Sequence, residues 1–364
     1  MIGIDRRLLQ NVDWPLLAAG AGLVMLSAVT LASLNVARTG GGVVVYRQLA
    51  WVGVGSVALL ILASIDYRKL VRMAPLLYLA GLGMLVSVFV LGRTVSGARR
   101  WIVLGPASIQ PSEVFKICFV LTLVWLLTSR WGQPFGRVSL ALLVPIFALP
   151  FVLIVKQPDL GTALVLLPML AILLLGAGVG LRLLGGLVLA GLSALPLAWL
   201  VMKDYQRERI LVYLDPLRDP LGSAYNVIQA KIAIGSGQLL GKGVSGATQS
   251  RLSFLPERHT DFIFAVFAEM WGFVGCLVLL VCYVLLLLRG FDIAATARDP
   301  VGRLVALGAT ALLASQVVIN VGMVTGLLPV VGIPLPLMSY GGSSMLVSLM
   351  ALGLLLSVRM RQFQ

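Results

Sequence analysis

Leu255-Pro-Glu-Arg-His-Thr-Asp261-Phe-Ile-Phe-Ala-Val266 sets Glu257, Arg258, His259 and Asp261 directly against an apolar run that continues almost unbroken to Leu288. A run of that length is what an α-helix needs to cross a hydrocarbon layer of roughly 30 Å. The charged residues before it therefore stand at a membrane surface, where ionisable groups are expensive and mark function by default. The residues alone leave a plainer role open as well. Thr260 or Asp261 caps the following helix, its side-chain oxygen accepting from a free backbone N–H. The two roles are compatible.

Outward from this junction the chain keeps the same character. Of its 364 residues, 59% are apolar and 12% charged, with a mean hydropathy of +1.01, outside the range of soluble domains. A transmembrane β-barrel would show ten-residue segments of alternating polarity, and no such alternation persists. Ten apolar spans are predicted, at 14–34, 43–65, 75–92, 112–128, 139–155, 160–179, 183–202, 262–288, 304–326 and 340–358. The expected fold is an all-α integral membrane protein of about ten transmembrane helices, with residues 1–364 forming one polytopic domain. The first span is too long for a removable signal peptide and lacks a clear small-residue cleavage site.

An even number of spans puts both termini on one side. With the termini in the cytoplasm, the inner segments hold thirteen Lys and Arg residues, and the short outer segments hold five, namely Arg38, Arg47, Arg93, Arg99 and Arg100. That asymmetry follows the positive-inside rule. The one long connection, 203–261 between spans seven and eight, is then extracytoplasmic and carries the opening motif.

The formal net charge is +14. Without a soluble basic domain this argues against nucleic acid as a partner and for membrane lipids and phosphorylated substrates. A single histidine, His259, excludes a His-rich metal site. Cys118, Cys276 and Cys282 lie in apolar runs without CxxC spacing and read as small core residues, so no disulfide is expected.

The long connection is not linker-like. Tyr225-Asn-Val-Ile-Gln-Ala-Lys-Ile-Ala-Ile234 repeats Val227, Ile228, Ile232 and Ala233 at helical spacing, as an interfacial helix would. The glycine-rich Gly235-Ser-Gly-Gln-Leu-Leu-Gly-Lys-Gly-Val-Ser-Gly246 fails the P-loop pattern, which needs Gly at 236 and Ser or Thr at 243. It reads instead as a loop able to approach a substrate or the lipid surface closely, with Lys242 as a phosphate contact. Ser112 and Glu113 open another helix, and Glu113 and Lys116 at i, i+3 share a face and pair. Asp159, in Lys156-Gln-Pro-Asp159, repeats the arrangement at a helix start. As plain structure these are caps and ion pairs, which leaves their number on one side of the membrane unexplained. Late in the chain, Gly341-Gly-Ser-Ser344 at a helix start offers backbone N–H groups to an anion or lets helices pack closely.

Four separated stretches carry a resemblance: Gln157-Pro-Asp-Leu-Gly-Thr162, Leu255-Pro-Glu-Arg-His-Thr-Asp-Phe262, Asn320-Val-Gly-Met-Val-Thr-Gly-Leu-Leu-Pro329 and Met338-Ser-Tyr-Gly-Gly-Ser-Ser344. They are similar to motifs of the shape, elongation, division and sporulation (SEDS) family, and within it to the cell-elongation branch. The resemblance implies a peptidoglycan glycosyltransferase of the bacterial cytoplasmic (inner) membrane. Such an enzyme polymerises lipid II, the disaccharide pentapeptide on undecaprenyl diphosphate, at the outer face. It works beside a class B penicillin-binding protein transpeptidase and other membrane proteins of the elongation complex. By the same resemblance Asp261 matches the essential aspartate, and Arg47, Arg100, Glu113, Lys116, Asp159 and Ser343 match positions around a membrane-facing cavity. One departure is visible. Relatives commonly read Ala-Glu-Glu where this chain reads Ala268-Glu269-Met270, so no second carboxylate is available at position 270.

That chemistry needs a base for a sugar hydroxyl and positive charge for a departing diphosphate. The expectation is that Asp261, ionised at neutral pH from a reference pKa of about 3.9, takes the proton of the acceptor's 4-hydroxyl. Arg47, Arg100, Lys116 and Lys242 would stabilise the diphosphate. Mg²⁺ or Mn²⁺ could share its charge, with Asp261 or Glu257 as oxygen ligands, although the sequence holds no closed ligand set. No organic cofactor is expected. Two other classes stay open: a lipid-precursor flippase, since charges within ten spans suit a transporter, and a non-catalytic scaffold of the cell-wall machinery.

Overall fold

The computed structural model describes residues 11–35, 42–95, 98–105, 107–129, 137–215, 219, 224–247, 249, 255 and 257–362. Arg6, Arg7, Arg38 and Arg130 of the charge asymmetry lie outside them. The long apolar runs fold as helices: α1 Trp14–Asn35, α2 Gly42–Ser64, the short α3 Tyr67–Arg72, α4 Ala74–Leu91, α5 Pro111–Thr128, α6 Arg137–Lys156, α7 Leu160–Gly176 and α8 Leu181–Val201. After the long connection come α12 Ile263–Thr296, α13 Pro300–Thr325 and α14 Gly342–Met360. The connection itself folds into α9 Asp204–Leu214, α10 Tyr225–Ser236 and the single turn α11 Gly243–Gly246.

Eight of these helices are long and apolar enough to cross a membrane; α7, with 17 residues, falls just short of that length. Proline opens α4, α5 and α13 in the first turn, where its missing N–H has no partner to lose. The protein is thus an all-α integral membrane protein, with one addition the sequence reading did not foresee. A small antiparallel sheet of β1 Arg93–Val95, β2 Ala98–Leu104 and β3 Ala107–Ile109 joins α4 to α5, in the order β1-β2-β3.

Burial sorts the helices. In the most apolar stretches of α5, α13 and α14, 83%, 72% and 83% of residues are buried, against at most 39% in the other five long helices. Those three are therefore the central pillars, and the outer helices offer leucine, valine and phenylalanine to lipid. Run length rather than periodicity marks such helices, because a helix in hydrocarbon is apolar all round.

The charged residues then separate to the two ends. At one end Arg289 donates to Asp13 at 2.8 Å, Arg359 approaches the same carboxylate at 3.6 Å, and Arg361 donates to the carbonyls of Ala63 and Ser64 at 2.9 and 2.6 Å. Asp261, at the start of α12, lies at the other end.

The connection between α8 and α12 packs against helices rather than spreading on the surface. Ala230 and Ala233 of α10 are buried while Ile232 is 45% exposed, so the face that docks is the small-residue one, shifted from the Val227, Ile228, Ile232, Ala233 stripe. The glycine-rich segment follows it into a break in α12 at Gly272 (φ 66°, ψ −165°). There the N–H groups of Phe273 and Val274 donate to the carbonyls of Gln238 and Leu239 at 2.8 and 3.1 Å. A Cβ on Gly272 would collide with the backbone of Gly241 and Leu239. The glycines thus serve close backbone packing.

Candidate active site

Asp261 precedes α12 without capping it. Phe262 is the N-cap residue and no side-chain oxygen caps the helix, while the Thr260 hydroxyl turns back to Glu257 at 3.2 Å. No described donor reaches the Asp261 carboxylate. Its backbone, in contrast, is firmly held. Asn320 of α13, fully buried, donates from one amide nitrogen to the carbonyl of Asp261 at 2.9 Å and to that of Ile333 at 2.6 Å. Ser339 Oγ donates to the Thr260 carbonyl at 2.6 Å, and Tyr340 N–H to the His259 carbonyl at 2.8 Å. Asn320 of α13 and the non-helical strap between α13 and α14 therefore hold the motif by its main-chain carbonyls, which is how irregular backbone is tolerated at membrane depth.

The carboxylate opens into a cavity of about 350 Å³ lined by residues from the sheet, α5, α7, α9, the opening motif, the strap and α14. Arg100 of β2, Glu113 of α5, Arg209 of α9 and Glu257 all face it. Gly332 (φ 73°) brings bare backbone beside Asp261, where a Cβ would lie 3.1 Å from Oδ2. Burial first, and then the negative charge of Glu257, push the Asp261 carboxyl up to about 7; the arginines at 100 and 209 pull it down, and Asp159 adds a smaller upward push. Burial thus raises the proton affinity of Asp261 well above the reference value from which full ionisation at neutral pH was expected.

Behind the wall, Glu113 and Lys116 form a buried ion pair at 2.7 Å, with side-chain exposures of 4% and 0%. Removing one partner of such a pair costs roughly 3–5 kcal/mol. The second oxygen of Glu113 has no partner and belongs to the residue that faces the cavity. Asp159 caps α7, accepting from Thr162 N–H at 3.3 Å, and its Oδ2 accepts from Ser112 Oγ and Gln110 Nε2 at 2.7 and 2.8 Å. Arg100 reaches Asp159 at 4.0 Å and donates to the Pro158 carbonyl. Ser112, expected to open α5, thus gives its hydroxyl to Asp159, and Gln110 is the N-cap residue. Ser343, 1% exposed, accepts from Gln110 N–H at 2.8 Å. It orders the wall, and its neighbour Ser344 faces the cavity.

A second groove of about 550 Å³ adjoins the first, and Trp101, Thr260, Tyr340 and Gly341 line both. Arg47 of α2 lies there, beside Trp51 and Val54. The predicted residues Arg100, Glu113, Glu257 and Asp261 therefore share the cavity, Lys116, Asp159 and Ser343 support it, and Arg47 stands in the adjoining groove. Lys242 joins neither. It is exposed, and its N–H donates to the Glu269 carbonyl at 2.9 Å beside the α12 break. Sequence reasoning missed Arg209 and Asn320. Of the two arginines in Asp204-Tyr-Gln-Arg-Glu-Arg-Ile nothing marks out the second, but an asparagine amid the apolar residues of a span is a signal that could have been weighed.

The arrangement offers a base next to guanidinium groups, inside a cavity with an apolar neighbour. The chain is 45% identical over 314 residues to peptidoglycan glycosyltransferase MrdB of Escherichia coli K12, covering 86% of this chain and 84% of that one. To stage V sporulation protein E of Bacillus subtilis it is 39% identical over 316 residues, 86% of each chain. Among solved structures it matches a chain of a peptidoglycan synthase complex that coordinates polymerization and crosslinking, with TM-score 0.82 and 38% identity over 97% of this chain and 99% of that one. It also matches the rod shape determining protein RodA of Thermus thermophilus, with TM-score 0.72 and 36% identity over 97% and 98%. The FtsW/RodA/SpoVE family of cell cycle proteins matches over residues 11–364, and the chain belongs to that family.

Proposed function

We propose that this chain is a peptidoglycan glycosyltransferase that polymerises lipid II at the outer face of the bacterial inner membrane, with Asp261 as general base. The observation that carries the site is a carboxylate released from the capping role, held by its backbone, and open to a cavity whose cations are arginines. A base whose pKa lies near the working pH combines an ionised fraction with real proton affinity, which suits Asp261 at about 7.

In the reaction the acceptor's 4-hydroxyl oxygen bonds to the donor's anomeric carbon. The bond from that carbon to the diphosphate oxygen breaks, the hydroxyl proton passes to Asp261, and undecaprenyl diphosphate leaves with the bonding pair. Guanidinium groups around the departing diphosphate stabilise charge as it develops, often the larger contribution. One displacement of this kind inverts the anomeric centre and needs no carboxylate nucleophile, in keeping with Met270, which supplies none. The adjoining groove, with Trp51, Val54 and Val103, gives apolar surface beside the reaction centre.

Among the described residues no three His, Cys, Asp or Glu side chains come together to hold a metal ion. A divalent cation therefore enters this reading only as a companion of the diphosphate, and no step depends on it; polymerisation measured with and without chelator tests this. A class B penicillin-binding protein is the proposed partner that cross-links the product. The deciding experiment gives lipid II to the purified protein, alone and with its transpeptidase, and resolves glycan chains on a gel. Polymer from wild type and none from a folded, partner-binding Asp261→Asn is expected. Equal polymer from both would remove Asp261 from the mechanism. Transbilayer movement of labelled lipid II without polymer would favour a flippase.

A further inference from the structure

We infer that Arg209, on α9 of the long connection, is a further substrate-binding residue that forms with Arg100 a two-guanidinium clamp on the diphosphate of the lipid-linked substrate. The inference rests on reading the cavity as the transferase site. The charged residues of the described lining are Arg100, Arg209, Glu113, Glu257 and Asp261, so three carboxylates face two cations. Lys116, the nearby amine, is fully buried and bound to Glu113. Arg100 is drawn toward Asp159 and the Pro158 carbonyl. With Arg100 alone, a single partly committed cation would face three acidic side chains and an anionic substrate in a cavity that screens charge poorly. The second guanidinium changes that balance, and its parallel N–H donors match phosphate oxygens as an ammonium does not.

The position of Arg209 is fixed from outside its own helix. Tyr213 Oη, one turn on, donates to the Leu327 carbonyl at 3.0 Å, and Arg209 Nη1 donates to the Val330 carbonyl at 3.3 Å. From Val330 the strap continues through Val331 and Gly332, which line the cavity, and Gly332 lies against Asp261. The same strap therefore carries the backbone beside the base and the anchor of the arginine. Arg209 is thus poised at the rim where a diphosphate next to Asp261 would lie.

A merely structural arginine would act through its contacts within the protein, such as that with the Val330 carbonyl. Arg209→Gln keeps an N–H donor for that carbonyl and removes the charge, whereas Arg209→Lys keeps the charge. Full-length proteins in lipid nanodiscs would be titrated with undecaprenyl diphosphate, with undecaprenyl alcohol as the tail-only control, and assayed for polymerisation of lipid II. The clamp predicts that Arg209→Gln binds the diphosphate at least about tenfold more weakly, as for loss of a hydrogen bond to a charged group. Alcohol binding and thermal unfolding should match wild type, KM for lipid II should rise, and Arg209→Lys should recover only part of the affinity, since an ammonium keeps the charge without the paired N–H donors. Diphosphate affinity unchanged in Arg209→Gln overturns the clamp, as does Arg209→Lys binding as weakly as Arg209→Gln. Wild type that binds the diphosphate strongly yet makes no polymer would sink the transferase reading while leaving the clamp in place.

Discussion

Two aspartates, Asp13 and Asp261, stand at the starts of apolar helices at opposite ends of the bundle, and they are used in opposite ways. Asp13, 3% exposed, accepts from Leu16 N–H at 3.0 Å and so caps α1, while Arg289 and Arg359 close on its oxygens at 2.8 and 3.6 Å. Every demand of a buried carboxylate is met there. Asp261 caps nothing, receives no described donor on its side chain, and is instead held through its carbonyl by Asn320. A matched carboxylate stabilises its surroundings. An unmatched one whose backbone is pinned keeps its reactivity, because the protein orients it without occupying it.

The sharpest way to break this comparison is to exchange charge for amide at the reactive end. Asp261→Asn should lower polymerisation by about 10² to 10⁴-fold with no loss of thermal stability; a variant that is inactive because it unfolds would place Asp261 with Asp13 after all. At the opposite end Asp13→Ala should do the reverse. Arg289 and Arg359 keep side-chain exposures of 33% and 27%, so the cost falls below that of a fully buried pair, at roughly 1–3 kcal/mol. Thermal unfolding in detergent reads that cost, and turnover per folded molecule should stay near wild type.

A smaller effect sharpens the same contrast. If Asp261 is the base proposed above, with its carboxyl pushed up to about 7, the active, ionised form is lost as pH falls. Initial rates should rise with pH through about 7 and level off above about 8, and a flat profile from 5 to 8 would contradict the assignment. The smallest expected change is at Lys242, where replacement by alanine should leave the rate within about twofold, as for surface substitutions away from special features. A large loss there would mean that the glycine-rich loop reaches the substrate.

Legibility differed between fold and site for physical reasons. The spans were readable because every residue along a lipid-facing helix must be apolar, and the Glu113–Lys116 pair because i, i+3 spacing fixes its geometry locally. The sheet at 93–109 was not, since its short strands sit amid Arg99, Arg100 and Trp101 without a clear alternation. Lys242 stands outside the cavity, and its glycine-rich setting did not show this, because glycines suited to binding a phosphate are equally suited to seating backbone against the Gly272 break.

The sequence by itself determined a membrane-embedded helical protein with its charges gathered at the span ends, and it singled out Asp261, because hydrophobicity and local spacing act within one segment. Tertiary structure alone decided that Asp261 is not a cap, that Arg209 rather than Lys242 joins it, and that its proton affinity lies near neutrality. Those properties arise where five or more distant segments meet, and the field at a carboxyl depends on which charges the fold brings near it and how much water it leaves there.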